Sequence, residues 1–202
     1  MFKMLKCLLA LALVAAAFYM VSVVRDKQLL EEQVLRLHVV GASDAQEDQE
    51  LKLQVRDAVL QAVQEAVSQA PDKDAAEDAV EELLPQLKEA ADQVLIQAGS
   101  TDRATVRLSQ EEFPKREYDT FTLPAGVYDS LRVTIGEGSG RNWWCVVFPG
   151  LCVPAASQQV EDVATGAGFS QSLSGAITGQ EGYEIRFWIL DWLGRVENFF
   201  HR

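Results

Sequence analysis

Residues 34–44, VLRLHVVGASD, decide the fold because the hydrophobic period of the chain changes within them. The alternation up to Val40 predicts a β-strand. Three apolar side chains share one face of this strand: Leu35, Leu37 and Val39. Asp44 then has the spacing of a capping box with Glu47, which indicates a helix start. The segment therefore predicts a strand that leads directly into a helix.

Two amphipathic helices are predicted after this strand. Apolar residues recur at helical spacing from Leu51 to Ala66 and, after the break at Pro71, from Ala76 to Leu95. Residues 44–98 hold fourteen acidic and four basic residues. The outer faces of both helices are therefore acidic, which fits a solvated surface or, alternatively, a docking surface for a basic partner.

Strand patterns return in the second half of the chain. They cover Thr105–Phe113, Leu131–Ile135 and Trp143–Phe148, and the glycine-rich stretch from Gly136 to Gly140 predicts a hairpin turn between the last two. The order β-α-α-β-β-β predicts an α/β (α+β) domain over residues 34–153. In this fold, the two acidic helices pack on one face of a mixed sheet.

The N-terminus, residues 1–27, predicts a signal peptide or membrane anchor. Lys3 and Lys6 precede an 18-residue stretch without charge, Cys7 to Val24. Residues 15–17 are three alanines, so a cleavage site and an uncleaved anchor both stay open. Either reading predicts export across the cytoplasmic membrane, with the domain secreted or anchored on the outside.

Two further segments are predicted near the C-terminus. Residues 154–182 are rich in Gly, Ser, Ala and Gln, which favours a flexible linker. Residues 183–202 predict an amphipathic aromatic helix. Its Trp188 and Trp192 are candidate contact residues, and the helix either docks on its own sheet or contacts a partner or a membrane.

Composition excludes several classes of function. Lys and Arg number 18 against 30 Asp and Glu, a formal net charge of −12, which argues against nucleic-acid binding. The spacing of His38, Cys145 and Cys152 matches no common zinc pattern, so we expect no metal and no cofactor. Common nucleophile and phosphate-loop motifs are missing from the sequence. We therefore expect a protein that is not an enzyme.

Cys145 and Cys152 predict a disulfide bond. Six residues separate them, and the turn-forming pair Pro149-Gly150 lies between. Cys7 lies in the leader, so the exported part holds one pair of cysteines. Two reduced, buried thiols are the alternative.

The run RNWWC, residues 141–145, is the candidate partner-binding patch. Adjacent tryptophans on a strand point to opposite faces, and one enters the core more easily than two. Arg and Trp are typical anchors of protein interfaces. The predicted contact residues are Arg141, Asn142, Trp143 and Trp144. In the alternative, both tryptophans are core and Arg141 is solvated.

Three stretches of this sequence resemble the stage II sporulation protein R family of endospore-forming bacteria. They are LRLHVVGASD with the following EDQ and LKLQVRD, residues 35–57, then LPAGVYDSLRV, residues 123–133, and IGEG with NWWCVVFP, residues 135–152. Ala42 stands where the family usually has Asn. The resemblance implies a signalling protein that the forespore exports into the intermembrane space. There it would activate a membrane-embedded aspartic protease of the mother cell, which processes a sigma-factor precursor.

Two other functions are weighed beside this one. The first is an extracytoplasmic hydrolase of cell wall or peptide, for which His38 beside Asp119, Asp129 or Ser130 would be suspected. The second is a membrane-associated structural protein anchored by the aromatic tail.

Overall fold

A computed structural model describes residues 2–150, Gly166 and residues 168–201. Five helices and six strands lie in this part of the chain. Their order is α1 (Phe2–Gln33), β1 (Leu35–Val40), α2 (Gln46–Ser68), α3 (Lys73–Gln97), β2 (Ala104–Phe113), β3 (Arg116–Glu117), β4 (Thr122–Leu123), β5 (Gly126–Ile135), β6 (Asn142–Phe148), α4 (Gln171–Thr178) and α5 (Glu184–His201).

The main sheet has four strands in the order β2-β5-β1-β6, and β3 and β4 form a separate two-stranded ribbon. β1 runs parallel to β5 and antiparallel to β6, while β2 runs antiparallel to β5. The mixed sheet and the predicted β-α-α-β-β-β order are therefore confirmed, with the small ribbon as an addition.

The helical hairpin α2–α3 covers one face of the sheet, which we call the first face. Buried valines follow one another at intervals of four on α2, and buried apolar residues recur at intervals of four and seven on α3, so each helix presents one apolar stripe. These stripes pack on Leu37, Leu131 and Val133 from the sheet. Asp72 caps α3 by accepting a hydrogen bond from the Ala75 N–H at 2.9 Å.

The capping box predicted at Asp44 is wrong. Ala45 is the N-cap of α2 and makes no side-chain cap. The Asp44 carboxylate instead accepts a hydrogen bond from the Arg141 N–H at 2.8 Å. The reason is tertiary: the turn before β6 lies against the loop after β1 and offers a free backbone donor there.

The glycine-rich turn does not form the predicted hairpin, because β1 lies between β5 and β6 in the sheet. The turn crosses the end of β1 instead, where Gly140 N–H donates to the Gly41 carbonyl at 2.9 Å. A Cβ on Gly140 would lie 2.2 Å from the Ser43 carbonyl oxygen. Only glycine allows the two backbones to approach this closely.

The opposite face, called the second face, is covered by the end of α1, by α4 and by α5. Val23, Leu30, Leu173, Ile177 and Leu190 are buried there. Part of the predicted linker therefore differs from expectation, since residues 171–178 form a packed helix. Residues 154–165 and 167 lie outside the described residues.

Ion pairs join α1 to α5. Arg186 lies 2.5 Å from Asp26 through Nη2, and Lys27 lies 2.6 Å from both Glu31 and Glu197. Toward the N-terminus, α1 is long and apolar enough to cross a membrane, and most of its apolar side chains are exposed. The predicted apolar N-terminal helix is confirmed, and its last turns belong to the domain.

Candidate functional site

A network of polar side chains lies on the second face and is centred on His38. The Nδ1 atom of His38 is 2.6 Å from Glu111 Oε2, and its Nε2 atom is 2.9 Å from Asn142 Oδ1. Arg132 donates from Nη1 to Glu111 Oε1 at 2.8 Å. Four strands contribute because alternate residues of each strand point to the same face.

Electrostatics hold this network together. Burial raises the pKa of Glu111, but hydrogen bonds from His38 and Arg132 outweigh it and keep the pKa below its ordinary range. Glu111 is therefore ionised at neutral pH. Both ring nitrogens of His38 are within hydrogen-bond distance of an oxygen atom, one of a carboxylate and one of an amide. The arrangement fixes the orientation of the imidazole ring.

Trp144 packs directly on His38. The two ring centroids are 5.5 Å apart with the planes 27° from parallel, and the Arg116 guanidinium lies 3.7 Å from the centre of the Trp144 ring. Phe113 meets His38 edge-on at 5.9 Å. The histidine and the tryptophan thus form one rigid wall.

This wall borders a cleft of about 730 Å³. His38, Asn142 and Trp144 line it from the sheet, Lys115 lines it from the segment after β2, and Arg195 and Phe199 line it from α5. The cleft combines an aromatic surface, an amide and two cations with the carboxylate of Glu112. This combination is suited to an extended peptide or a protruding side chain of a partner.

The structure brings some of the predicted contact residues together and separates others. Asn142 and Trp144 both line the cleft, and Arg141 is exposed beside them, with its Nε atom 3.6 Å from Asp44. Trp143 lies on the first face, where the Arg56 guanidinium is 4.7 Å from its ring centre. Both tryptophans are half-buried, so each one is partly core and partly surface.

Trp188 and Trp192 lie on α5 and do not line the cleft. They are 65% and 50% exposed, although the same helix buries Leu190 and Gly194 against the sheet. The tail helix therefore docks on its own domain and still presents tryptophan to the outside.

Glu111 and Arg132 are the site residues that the sequence analysis missed. Glu111 is 73 positions from His38, and nothing in the spacing relates them. The carboxylates and the hydroxyl suspected beside His38 do not pair with it: Asp119 is exposed between β3 and β4, Asp129 pairs with Lys73, and Ser130 is paired in register with Arg36.

No group of three or more His, Cys, Asp or Glu within the described residues could hold a metal ion. The predicted disulfide involves Cys152, which lies outside the described residues. Cys145 is buried at the first face, and the pairing stays a prediction.

Comparison with known proteins gives two findings. A family model described as stage II sporulation protein R matches residues 31–158, which include every strand, α2 and α3. Stage II sporulation protein R of Bacillus subtilis (strain 168) is 27% identical over 183 residues, covering 82% of this chain and 82% of that protein. No solved structure matches the chain significantly.

Proposed function

The chain belongs to the stage II sporulation protein R family, and from this premise we propose that it is an exported signal that acts by binding. In this proposal it activates a membrane-embedded aspartic protease, which then processes a sigma-factor precursor. The domain lies outside the cytoplasmic membrane, in the forespore intermembrane space. The apolar helix at the N-terminus supports membrane association.

One observation carries the choice of contact site: an exposed arginine, an exposed asparagine and a half-buried tryptophan lie within four residues at the start of β6, and the last two line the cleft. These are Arg141, Asn142 and Trp144. Among the described residues β6 is an edge strand, and no described strand pairs with its outer side. Arg and Trp side chains supply a large share of the binding energy in many interfaces. We therefore place the protease contact at the start of β6.

The rigid backing of Trp144 supports the same assignment. His38 stacks on the ring and is itself held by Glu111 and Asn142. A pre-ordered aromatic side chain loses little conformational entropy when it binds. The His38 network thus serves in this proposal to position the contact surface.

Reconstitution tests the proposal. The full-length chain is added to the protease and its precursor substrate in lipid vesicles, and precursor cleavage is measured. Arg141→Ala and Asn142→Ala should each reduce cleavage at least tenfold while the melting transition stays within a few degrees of wild type. The control is Arg107→Ala, which removes an exposed arginine from β2 at the other edge of the sheet. Normal cleavage by both variants would show that the contact lies elsewhere.

The second candidate is an extracytoplasmic hydrolase of cell wall or peptide. The observation that favours it is the Glu111–His38 pair on the wall of the cleft. Against it, Asn142 already occupies the Nε2 side of the ring. A hydrolase requires that the purified chain alone degrades cell-wall or peptide substrate and that His38→Gln abolishes this activity. A chain that acts only as a signal should instead have no effect on any substrate unless the protease is present.

A further inference from the structure

α5 has two sides with different roles. One side docks closely on the domain: Leu190 is fully buried, and a Cβ on Gly194 would lie 1.5 Å from the Ala125 carbonyl oxygen. The Asp191 carboxylate accepts a hydrogen bond from the Ala125 N–H at 3.0 Å. The orientation of α5 on the domain is therefore fixed, and with it the direction in which the other side faces.

The other side of α5 is apolar and exposed. Ile185, Trp188 and Trp192 are 70%, 65% and 50% exposed, and they follow one another at intervals of three and four residues along the helix. Phe199 and Phe200, in the last turn, are 74% and 80% exposed. We call these five residues the aromatic face. An apolar surface of this size on a docked helix indicates a contact that the described residues do not supply.

The contacts of Arg186 place the aromatic face relative to α1. Its guanidinium donates to Asp26 Oδ2 at 2.7 Å and to the Ser22 carbonyl at 3.3 Å, and it lies 5.6 Å from the centre of the Tyr19 ring. Tyr19 and Ser22 belong to the last turns of the uncharged stretch that ends at Val24. The first turn of α5 therefore lies at the level where the apolar helix meets the aqueous phase.

We propose that the aromatic face of α5 lies in the headgroup region of the bilayer that α1 crosses. The occupant is lipid, because the face begins beside the last turns of the uncharged stretch of α1, at the level where that helix leaves the membrane. Tryptophan is the residue most typical of this depth. This inference rests on the proposed function only for the membrane location of α1.

The charge of the chain defines how the contact works. A net charge of −12 does not favour attraction to anionic lipid, so the contact relies on apolar and aromatic burial. Lipid contact should therefore be insensitive to salt and to the anionic lipid content. Arg195 and Phe199 of α5 also line the cleft. Lipid contact by α5 therefore holds the cleft near the membrane surface, where a membrane-embedded protease is accessible.

Tryptophan quenching by brominated lipid tests the inference. The full chain is reconstituted in phosphatidylcholine vesicles with bromine at carbons 6 and 7 of one acyl chain, without the protease. α1 contains no tryptophan, so quenching reports on residues 143, 144, 188 and 192 alone. We expect the double variant W188F/W192F to lose at least half of the quenched emission. The matched control W143F/W144F should keep the quenching per remaining tryptophan at or above that of wild type.

Equal quenching per tryptophan in the two double variants would overturn the inference, and so would an absence of quenching in wild type, which would indicate a protein partner for this face. Replacing half of the phosphatidylcholine by phosphatidylglycerol, or raising NaCl from 50 to 500 mM, should change quenching less than twofold. A larger dependence would also contradict the inference, because it would show attraction by charge. Precursor cleavage is a separate assay, so a failed protease contact leaves this result intact.

Discussion

The two faces of the sheet are built from different parts of the chain. The first face is covered by α2 and α3, which are consecutive in sequence, and its centre is apolar. The second face is covered by α1, α4 and α5, which come from the two ends of the chain. Most of the buried charged and polar side chains are on this second side, with Arg36, His38, Asp26, Arg186 and Asp191 among them.

This difference shows where the fold gains stability and where it positions polar groups. Arg36 is fully buried with its guanidinium 3.9 Å from the ring centre of Phe113 and 5.0 Å from that of Tyr128. Tyr118 accepts one of its hydrogen bonds, while Nε and Nη1 have no hydrogen-bond partner within the part of the chain that the structure describes. Burying such a group opposes folding. We therefore expect the second face to depend on the first for part of its stability.

The largest effect is expected from Leu37→Ala, which opens a cavity under the helical hairpin. Leu37 is fully buried in the first face, and a substitution of this kind lowers the free energy of unfolding by about 3–5 kcal/mol. Because β1 is central to the sheet, the second face should unfold with the first. Denaturant titration in detergent would measure the unfolding of the two faces, with circular dichroism as the overall signal and proteolysis of α5 as the signal of the second face. Leu53→Ala on the exposed side of α2 is the control, and separate transitions would contradict this dependence.

The next effect is expected from Asp26→Asn, which leaves Arg186 buried without its counterion. Both side chains of this pair are about nine-tenths buried, so the loss should be about 3 kcal/mol. It should appear as faster proteolytic cleavage between α4 and α5, while the first face stays folded. Asp78→Asn on α3 removes an exposed carboxylate and is the control. Unchanged cleavage would mean that α1 and α5 are held together without this pair.

A smaller, pH-dependent effect is expected from Glu111→Gln. The folded pKa of Glu111 lies below its unfolded value of about 4.5, so its contribution is present above that pH and disappears as the pH falls through the lowered value. Near pH 7 the substitution should lower the free energy of unfolding by about 1–2 kcal/mol. The stabilities of variant and wild type should converge as the pH falls through the lowered pKa of Glu111. Glu81→Gln, at an exposed site, should show no such convergence.

The smallest effect is expected from replacing either of the two arginines that lie over the adjacent tryptophans. Arg56 lies over Trp143 on the first face, and Arg116 lies over Trp144 on the second. Each replacement by Ala should lower the free energy of unfolding by about 0.5–1 kcal/mol, since both arginines are near the surface. Urea titration would measure this. A loss above about 2 kcal/mol at either position would mean that the arginine is part of the core.

Sequence reasoning worked best where the relevant contacts are close along the chain. The helical spacing of α2 and α3 and the alternation of β1 predicted the first face and the order of its elements. The predictions of a cap at Asp44 and of a hairpin between β5 and β6 were wrong, because in each case a segment distant in sequence made the contact that local spacing had assigned to a neighbour. Asp44 binds the N–H of Arg141, and β1 takes the place next to β6 that a hairpin would give to β5.

The candidate site was predicted only in part. Residue types known to anchor interfaces predict a contact patch from Arg141 to Trp144, and the structure places Asn142 and Trp144 of this run at the cleft. The partners of His38 could not be found, because Glu111 and Asn142 are 73 and 104 positions away. The spacing of residues along one strand carries no information about which strand lies beside it.

The sequence by itself determined the apolar N-terminal helix, the acidic helical hairpin and the order of helices and strands along the chain, because each depends on a hydrophobic period within one segment. Only the tertiary structure decided which polar groups meet on the second face and which side of α5 stays exposed. Those outcomes depend on the register of strands and on the close approach of Gly194 to Ala125. Contacts between the two ends of a chain arise from packing in three dimensions, which local periodicity does not encode.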